Sequence, residues 1–296
     1  MASARKMGIE ALMVAHAVLA LATGGSAQLQ YGFYKNKCNA SDVEAVVQGI
    51  VKARFAREAP IVAYLLRLQF HECAVNKTAP PNLSVKGYDL IAAIKAELER
   101  RCPGVVSCSD IEILATRDAV ALAGGPAYTV RTGRRDRRQS RASDVKLPGS
   151  EYTAAQAIAY YAKLGMSAYD TVLLLGAHTM GATDPAMDPT LASTYKKYVC
   201  PNVTSSNGNT VYLDDQWSAV KVDNNYYKNL QRGRGVLLVD HQNLYRDSST
   251  RGFVDQLANN NGLFQSQFAK VLVKLSEVNV LTGTQGEIRK VCNKFN

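Results

Sequence analysis

Apolar residues recur three and four positions apart along most of this chain, and that spacing confines it to helices. Between Asp42 and Ala59, the residues Val43, Val46, Val47, Ile50 and Val51 share one helical face. Pro60 marks a second entry, and Ile61 to Cys73 is the next predicted helix. Tyr88, Ile91, Ile94 and Leu98 predict a third, stopped by Pro103-Gly104. Ser107 to Leu122 predicts a fourth, with Ile111, Leu114 and Ala121 inward and Gly124-Gly125-Pro126 as its stop. Further helices are expected over Thr153–Leu164, Val172–His178 (opened by a capping box at Ser167 to Asp170), Tyr226–Leu230 and most of Thr250–Leu275. Ala79-Pro80-Pro81-Asn82, Pro148-Gly149, Asp184–Pro189, Asp214–Asp223 and Gly283–Gly286 read as loops or turns. There is little β alternation and no internal repeat. The fold class is mainly α.

A charge run, Arg131 and then Gly133-Arg134-Arg135-Asp136-Arg137-Arg138, reads as a solvated loop, with Asp110 and Asp118 as available partners. Arg5 and Lys6, an apolar run from Ala11 to Ala22 and the small residues Gly24 to Ala27 describe a secretory signal peptide over 1–27, leaving 28–296 as the mature domain. No later stretch is apolar enough for a membrane span. A net charge of +10 suits anionic polymers such as wall polysaccharides. The cations are dispersed, so nucleic acid is not an expected partner. Six cysteines in an exported chain imply disulfides, though the sequence does not choose among the pairings. Asn39, Asn76, Asn82 and Asn202 each fit the N-glycosylation pattern.

After export three histidines remain: His71, His178 and His241. None sits in HExxH spacing, and neither a GxSxG elbow nor a phosphate-binding loop is present. Arg67 and His71 lie four apart in the apolar run Leu65 to Cys73, which puts them one helical turn apart on one face. A cation beside a proton shuttle in apolar surroundings can polarise and split a bound small molecule. A surface arginine and a core histidine sharing a helix would give the same pattern. Two separated helical histidines can also flank a flat cofactor, one ligating iron and one facing the bound oxidant.

Leu65 to Cys73 resembles the distal helix of the secreted plant haem peroxidases (class III, the horseradish peroxidase family). Leu-Gly-Ala-His-Thr-Met-Gly at 175–181 is similar to the proximal haem-ligand motif. Cys-Pro-Gly-Val-Val-Ser-Cys-Ser-Asp-Ile at 102–111, Ala-Gly-Gly-Pro at 123–126, Gly-Arg-Arg-Asp at 133–136, Asp-Asn-Asn-Tyr-Tyr at 223–227 and Leu-Thr-Gly-Thr-Gln-Gly-Glu-Ile-Arg at 281–289 extend the match in order to the end of the chain. The resemblance implies an all-helical, two-lobed fold with haem b between distal and proximal helices. It implies reduction of hydrogen peroxide and one-electron oxidation of small phenols. His71 would take a proton from peroxide and return it to the leaving oxygen. Arg67 would stabilise the developing charge, Asn82 would orient His71, and Phe70 would line the cofactor. His178 would be the axial iron ligand, with Asp240 accepting its ring N–H. The surroundings of Asp240, Val-Asp-His-Gln-Asn-Leu, are one residue longer than the family pattern. Pro148 would lie where phenols dock. A proximal calcium site would take Thr179, Asp215, Ser218 (a threonine in the family), the Lys221 carbonyl and Asp223, bracing the helix of His178.

Two departures accompany the match. A family segment is absent between Val75 and Asn76, and with it most ligands of a distal calcium, of which Glu72 and Val75 are remnants; that site is expected to be lost. A second is absent near Gly181 and Ala182. Family-like pairing then leaves Cys38–Cys102 and Cys108–Cys292 as disulfides, with Cys73 and Cys200 without partners. The gaps suit either a divergent enzyme with trimmed loops or a mis-spliced form. The rival function is a catalytically impaired, basic, wall-binding relative. A secreted monomer of the cell wall, apoplast or vacuole is expected.

Overall fold

The computed structural model describes residues 29–71, 82–141, 147–149, 151–180, 182–183, 211–215, 217–237 and 239–296. The signal peptide, both gap sites, Glu72, Cys73, Val75, Cys200, the 184–189 loop and the patterns at Asn76 and Asn202 lie outside the described residues.

Two groups of helices carry the fold. The first comprises α1 (Val43–Phe55), α2 (Ile61–Phe70), α3 (Tyr88–Arg101) and α4 (Cys108–Leu122). Asp42 starts α1 by accepting from the Glu44 and Ala45 amides at 2.9 and 3.1 Å. The valines at 43, 47 and 51 then form its buried stripe. Helix α2 is apolar on nearly every side, the pattern of a fully buried helix. Helix α4 contacts all three of the others and is buried along most of its length.

The second group comprises α5 (Ala154–Ala162), α6 (Ala168–Leu175), α7 (Asn225–Gln231), α8 (Ser248–Asn259) and α9 (Asn261–Ser276). The capping box expected at Ser167 and Asp170 opens α6, with the two reciprocal bonds at 3.0 and 2.8 Å. Where one helix to His178 was expected, α6 ends at Leu175 and a 3₁₀ turn (Gly176–Thr179) follows. Gly176 permits that turn to meet α7, because a Cβ there would lie 2.2 Å from the Tyr227 hydroxyl. The predicted run Thr250–Leu275 is also two helices. Asn260 is extended (φ −142°, ψ 95°) and caps α9 through the Leu263 amide at 2.9 Å. Among the described residues the only sheet is a two-residue pair, β1 (Ala182–Thr183) antiparallel to β2 (Val211–Tyr212).

The charge run is only partly solvated: Arg137 and Arg138 are exposed, but Arg134 is buried and takes Asp110, one of the two partners expected. Asp110 is wholly buried and accepts from the Tyr34 hydroxyl at 2.6 Å, the Gly133 amide at 2.7 Å and Arg134 Nη1 at 2.9 Å. Arg134 then reaches α9, donating from Nε to the Ser276 carbonyl at 2.8 Å. A guanidinium that satisfies a buried carboxylate and a helix C-terminus together can leave water; removing either partner would cost about 3–5 kcal/mol. Asp136 accepts from the Cys108, Ser109 and Arg289 amides, tying the start of α4 to the C-terminal segment. Asp118 does not serve this loop; it pairs with its neighbour Arg117 at 2.9 Å. The disulfides Cys38–Cys102 and Cys108–Cys292 are both formed, as the resemblance implied. Each contributes on the order of 2–4 kcal/mol.

Candidate active site

Helix α2 ends at His71, whose amide donates to the Arg67 carbonyl at 2.9 Å. Leu65, Leu66 and Leu68 bury the rest of this turn, so Arg67 and His71 share its remaining face. His71 is 8% exposed and Asn82 is 1% exposed. The Asn82 Oδ1 lies 2.7 Å from His71 Nδ1. An amide oxygen can only accept, so Nδ1 carries the proton and Nε2 carries the lone pair. Arg67 Nε donates to that Nε2 at 3.4 Å. The Arg67 guanidinium is steadied by Ser84, donating from Nη2 to Oγ at 3.0 Å and from Nη1 to the carbonyl at 3.5 Å. Burial pulls the His71 pKa below its ordinary value, opposed by the Asn82 hydrogen bond and helped by the Arg67 charge. Desolvation lowers the Arg67 pKa as well. The result is a neutral imidazole with an aimed lone pair beside a desolvated cation. Such an arrangement can take a proton from a small molecule and stabilise negative charge on the same molecule.

The second histidine sits in the 3₁₀ turn. His178 Nδ1 lies 3.0 Å from both Asp240 carboxylate oxygens. Asp240 is fully buried and also accepts from the Tyr226 hydroxyl at 2.7 Å. Asp240 comes from a π turn (Val239–Leu244), a conformation with one residue more per hydrogen-bonded turn. Asp240 reaches His178 from this turn. Burial works against protonation of His178, but the Asp240 charge and hydrogen bond outweigh it and raise its pKa. About a quarter of the His178 side chain remains exposed (25%). Its Nε2 has no hydrogen-bond partner among the described residues. An imidazole held at Nδ1 by a carboxylate, with Nε2 unclaimed, has the donor chemistry of a haem-iron ligand; the residues present therefore fit the group.

Phe70 links the two helix groups. Its ring lies 5.7 Å from that of His71 and 6.2 Å from that of Tyr161 in α5. Pro148 is half-buried, in a short described stretch of three residues.

Next to His178, the Thr179 hydroxyl donates to Asp214 Oδ2 at 3.0 Å and lies 3.4 Å from the Lys221 carbonyl. Asn225 Nδ2 bridges Asp214, Asp215 and the Ser218 hydroxyl at 2.9, 3.0 and 3.0 Å. The Asn225 amide donates to Asp223 at 2.9 Å. Burial, with the neighbouring Asp223 charge adding to it, pushes Asp214 up to about 6 against its hydrogen bonds. Five of the expected ligands, Thr179, Asp215, Ser218, Lys221 and Asp223, thus belong to one cluster with Asp214. No group of three or more His, Cys, Asp or Glu poised to hold a metal occurs among the described residues. The expected set has two carboxylates and takes its other oxygens from hydroxyls and a carbonyl, a mixture suited to calcium.

Three residues were not singled out from the sequence: Ser84 under Arg67, Tyr226 on Asp240, and Asp214 on Thr179. Tyr226 lies in the Asp-Asn-Asn-Tyr-Tyr motif, which was the available signal. No helix among the described residues is long and apolar enough to cross a membrane.

A peroxidase family model matches residues 47–260. The chain is 43% identical to Peroxidase 57 of Arabidopsis thaliana over 302 aligned positions, covering 91% of this chain and 93% of the relative. It is 41% identical to Peroxidase 44 of the same plant over 304 positions, covering 93% and 96%. It is 39% identical to Peroxidase 28 over 309 positions, covering 91% and 94%. Each aligned span exceeds the 296 residues of this chain, so each relative carries residues within it that this chain lacks. The chain belongs to the peroxidase family, and it is a haem peroxidase of the plant class III kind.

Proposed function

We infer that His71 is the acid–base and His178 the haem ligand of an enzyme that reduces hydrogen peroxide and oxidises small phenols. The observation that carries this is the contrast in how the two imidazoles are held: His71 Nδ1 by the neutral Asn82 oxygen at 2.7 Å, His178 Nδ1 by the Asp240 carboxylate at 3.0 Å. Haem b, when bound, supplies the redox chemistry, accepting oxidation from peroxide and giving it back to phenols one electron at a time.

On the distal side Arg67 Nε leaves His71 Nε2, which then accepts the proton of an incoming peroxide. Asn82 keeps Nδ1 protonated throughout, so the tautomer does not change. Arg67 stabilises charge on the parting oxygens, with Ser84 holding its guanidinium. His71 Nε2 returns the proton to the leaving oxygen, which departs as water. On the proximal side Asp240 accepts from Nδ1 and makes the ligand nitrogen more electron-rich, and Tyr226 steadies Asp240. Phe70 lines the cofactor, and Pro148 lies at the docking edge for phenols. Thr179, Asp215, Ser218, the Lys221 carbonyl and Asp223 hold one calcium beside His178, with Asp214 supporting the cluster. The distal calcium is lost with the segment missing after Val75. Glycosylation at Asn82 is incompatible with its bond to His71. The chain works as a secreted monomer of the wall, apoplast or vacuole, with anionic wall polymers as partners of its charge. No finding favours the impaired wall-binding reading over catalysis.

Refolding the mature chain with haem and calcium, then recording the Soret band and guaiacol oxidation, tests this reading. Haem uptake and peroxide-dependent turnover that collapses in His71→Ala are expected. Absence of haem uptake, or turnover untouched by that substitution, rejects it.

A further inference from the structure

Helix α7 carries adjacent tyrosines, Tyr226 and Tyr227, and both are buried. Their rings meet edge to face at 5.0 Å. Their hydroxyls go to different acceptors. Tyr227 donates to the Val172 carbonyl of α6 at 3.0 Å, a neutral oxygen. Tyr226 donates to Asp240 Oδ1 at 2.7 Å, an oxygen that also lies 3.0 Å from His178 Nδ1. Among the described residues, His178 and the Tyr226 hydroxyl are the only side-chain donors to the Asp240 carboxylate, and no lysine or arginine pairs with it.

Asp240 is out of contact with bulk water, so these two donors divide its charge between them. A hydrogen bond to an ionised group is about twice as strong as one between neutral groups. Charge drawn toward the Tyr226 hydroxyl is charge not offered to the N–H of His178. Burial, with the Asp240 charge and hydrogen bond adding to it, raises the Tyr226 pKa well above its ordinary value, so the hydroxyl stays a donor. The Tyr226 ring also meets the His178 ring edge to face at 6.0 Å, which fixes the phenol against the same imidazole. Electron density at His178 Nε2 is thus supplied by Asp240 and limited by Tyr226.

We propose that Tyr226 is a positioning residue that acts through Asp240: it holds back the donation of electron density to His178 Nε2 and so keeps bound haem iron easier to reduce. It rests on the reading that His178 ligates haem. More density on an axial ligand favours the oxidised metal. Without the Tyr226 hydroxyl, the Asp240 charge goes wholly to His178 and the ferric form gains. Tyr227 supplies a matched control, on the same helix and equally buried, with its hydroxyl on a carbonyl instead of Asp240.

The test uses holoenzyme carrying haem and calcium, in parent, Tyr226→Phe and Tyr227→Phe forms. Phenylalanine keeps each ring and removes only the hydroxyl. Spectroelectrochemistry reads the midpoint potential of the ferric–ferrous couple, and resonance Raman reads the iron–histidine stretch of the ferrous form. Tyr226→Phe should favour the ferric form by about three- to tenfold at a fixed potential, tenfold being about 59 mV for one electron. It should also raise the stretching frequency. Tyr227→Phe should leave both at the parent values. In an Asp240→Asn background, with haem in excess, Tyr226→Phe should change neither. A potential that does not fall in Tyr226→Phe, a stretch that does not rise, an equal change in Tyr227→Phe, or a change that survives Asp240→Asn overturns the proposal alone. So does a Tyr226→Phe form that takes up no haem where the parent does, because a stronger donor should hold iron at least as well. A parent that takes up no haem overturns the haem reading and this one together.

Discussion

The two histidine sites use the same device with different charge. In each, a buried oxygen fixes one ring nitrogen and leaves the other to react. At His71 the oxygen is the neutral amide of Asn82, and burial holds the imidazole pKa below its ordinary value. At His178 the oxygen belongs to the Asp240 carboxylate, and its charge outweighs burial and raises the pKa. A base that must accept and return a proton needs a neutral resting state. A metal ligand gains from electron density pushed toward its free nitrogen. One difference, amide against carboxylate, separates the proton shuttle from the iron ligand in the function proposed above.

The largest way to break this comparison is to delete the shuttle. His71→Ala should slow the peroxide reaction by about 10²–10⁴-fold in stopped flow while the Soret band of bound haem persists. Next is the cation that stabilises the charge. Arg67→Leu should cost about 10²–10³-fold in the same step and leave later oxidation of guaiacol unchanged.

Removing the charge from the proximal acceptor comes third. Asp240→Asn should weaken haem binding by about 10–100-fold in a titration of the apoprotein. The same titration has a defined pH dependence. Iron needs neutral His178, so uptake by the parent falls as pH drops through its raised pKa, above the ordinary value of 6.5. The Asn variant should keep taking up haem at lower pH than the parent. The smallest expected effect is that of calcium. Chelation should lower stability by on the order of 3 kcal/mol, read as a fall in Tm, and Asp215→Ala should abolish that dependence.

Much of this was readable from local sequence. The helix starts at Asp42, Ser107, Thr153 and Ser167 lie where side-chain oxygens precede apolar periodicity, because capping is a contact between near neighbours. The break at Asn260 was missed although a signal was present: Asn259-Asn260-Asn261-Gly262 interrupts the apolar spacing with residues that favour caps and turns. The Gly133–Asp136 run was misread as solvated. Asp110 was named as a partner from the sequence, but Ser276 lies more than a hundred positions away, and charge patterning alone does not report it. Within the site, the two histidines, Arg67, Asn82 and Asp240 stood out by motif. Ser84 and Asp214 did not, because each acts on another side chain; Tyr226 lay inside a matched motif, but its bond to Asp240 did not show in the sequence.

The most direct test of the amide–carboxylate contrast is the pH profile of the peroxide reaction in Asn82→Asp holoenzyme beside its parent. Proton uptake by His71 removes the base, so the rate falls as pH drops through the His71 pKa. In the parent that acid limb should lie below the ordinary histidine value of 6.5. A carboxylate at position 82 stabilises the imidazolium, so the limb should move to higher pH. A limb that stays in place, or moves to lower pH, contradicts the account.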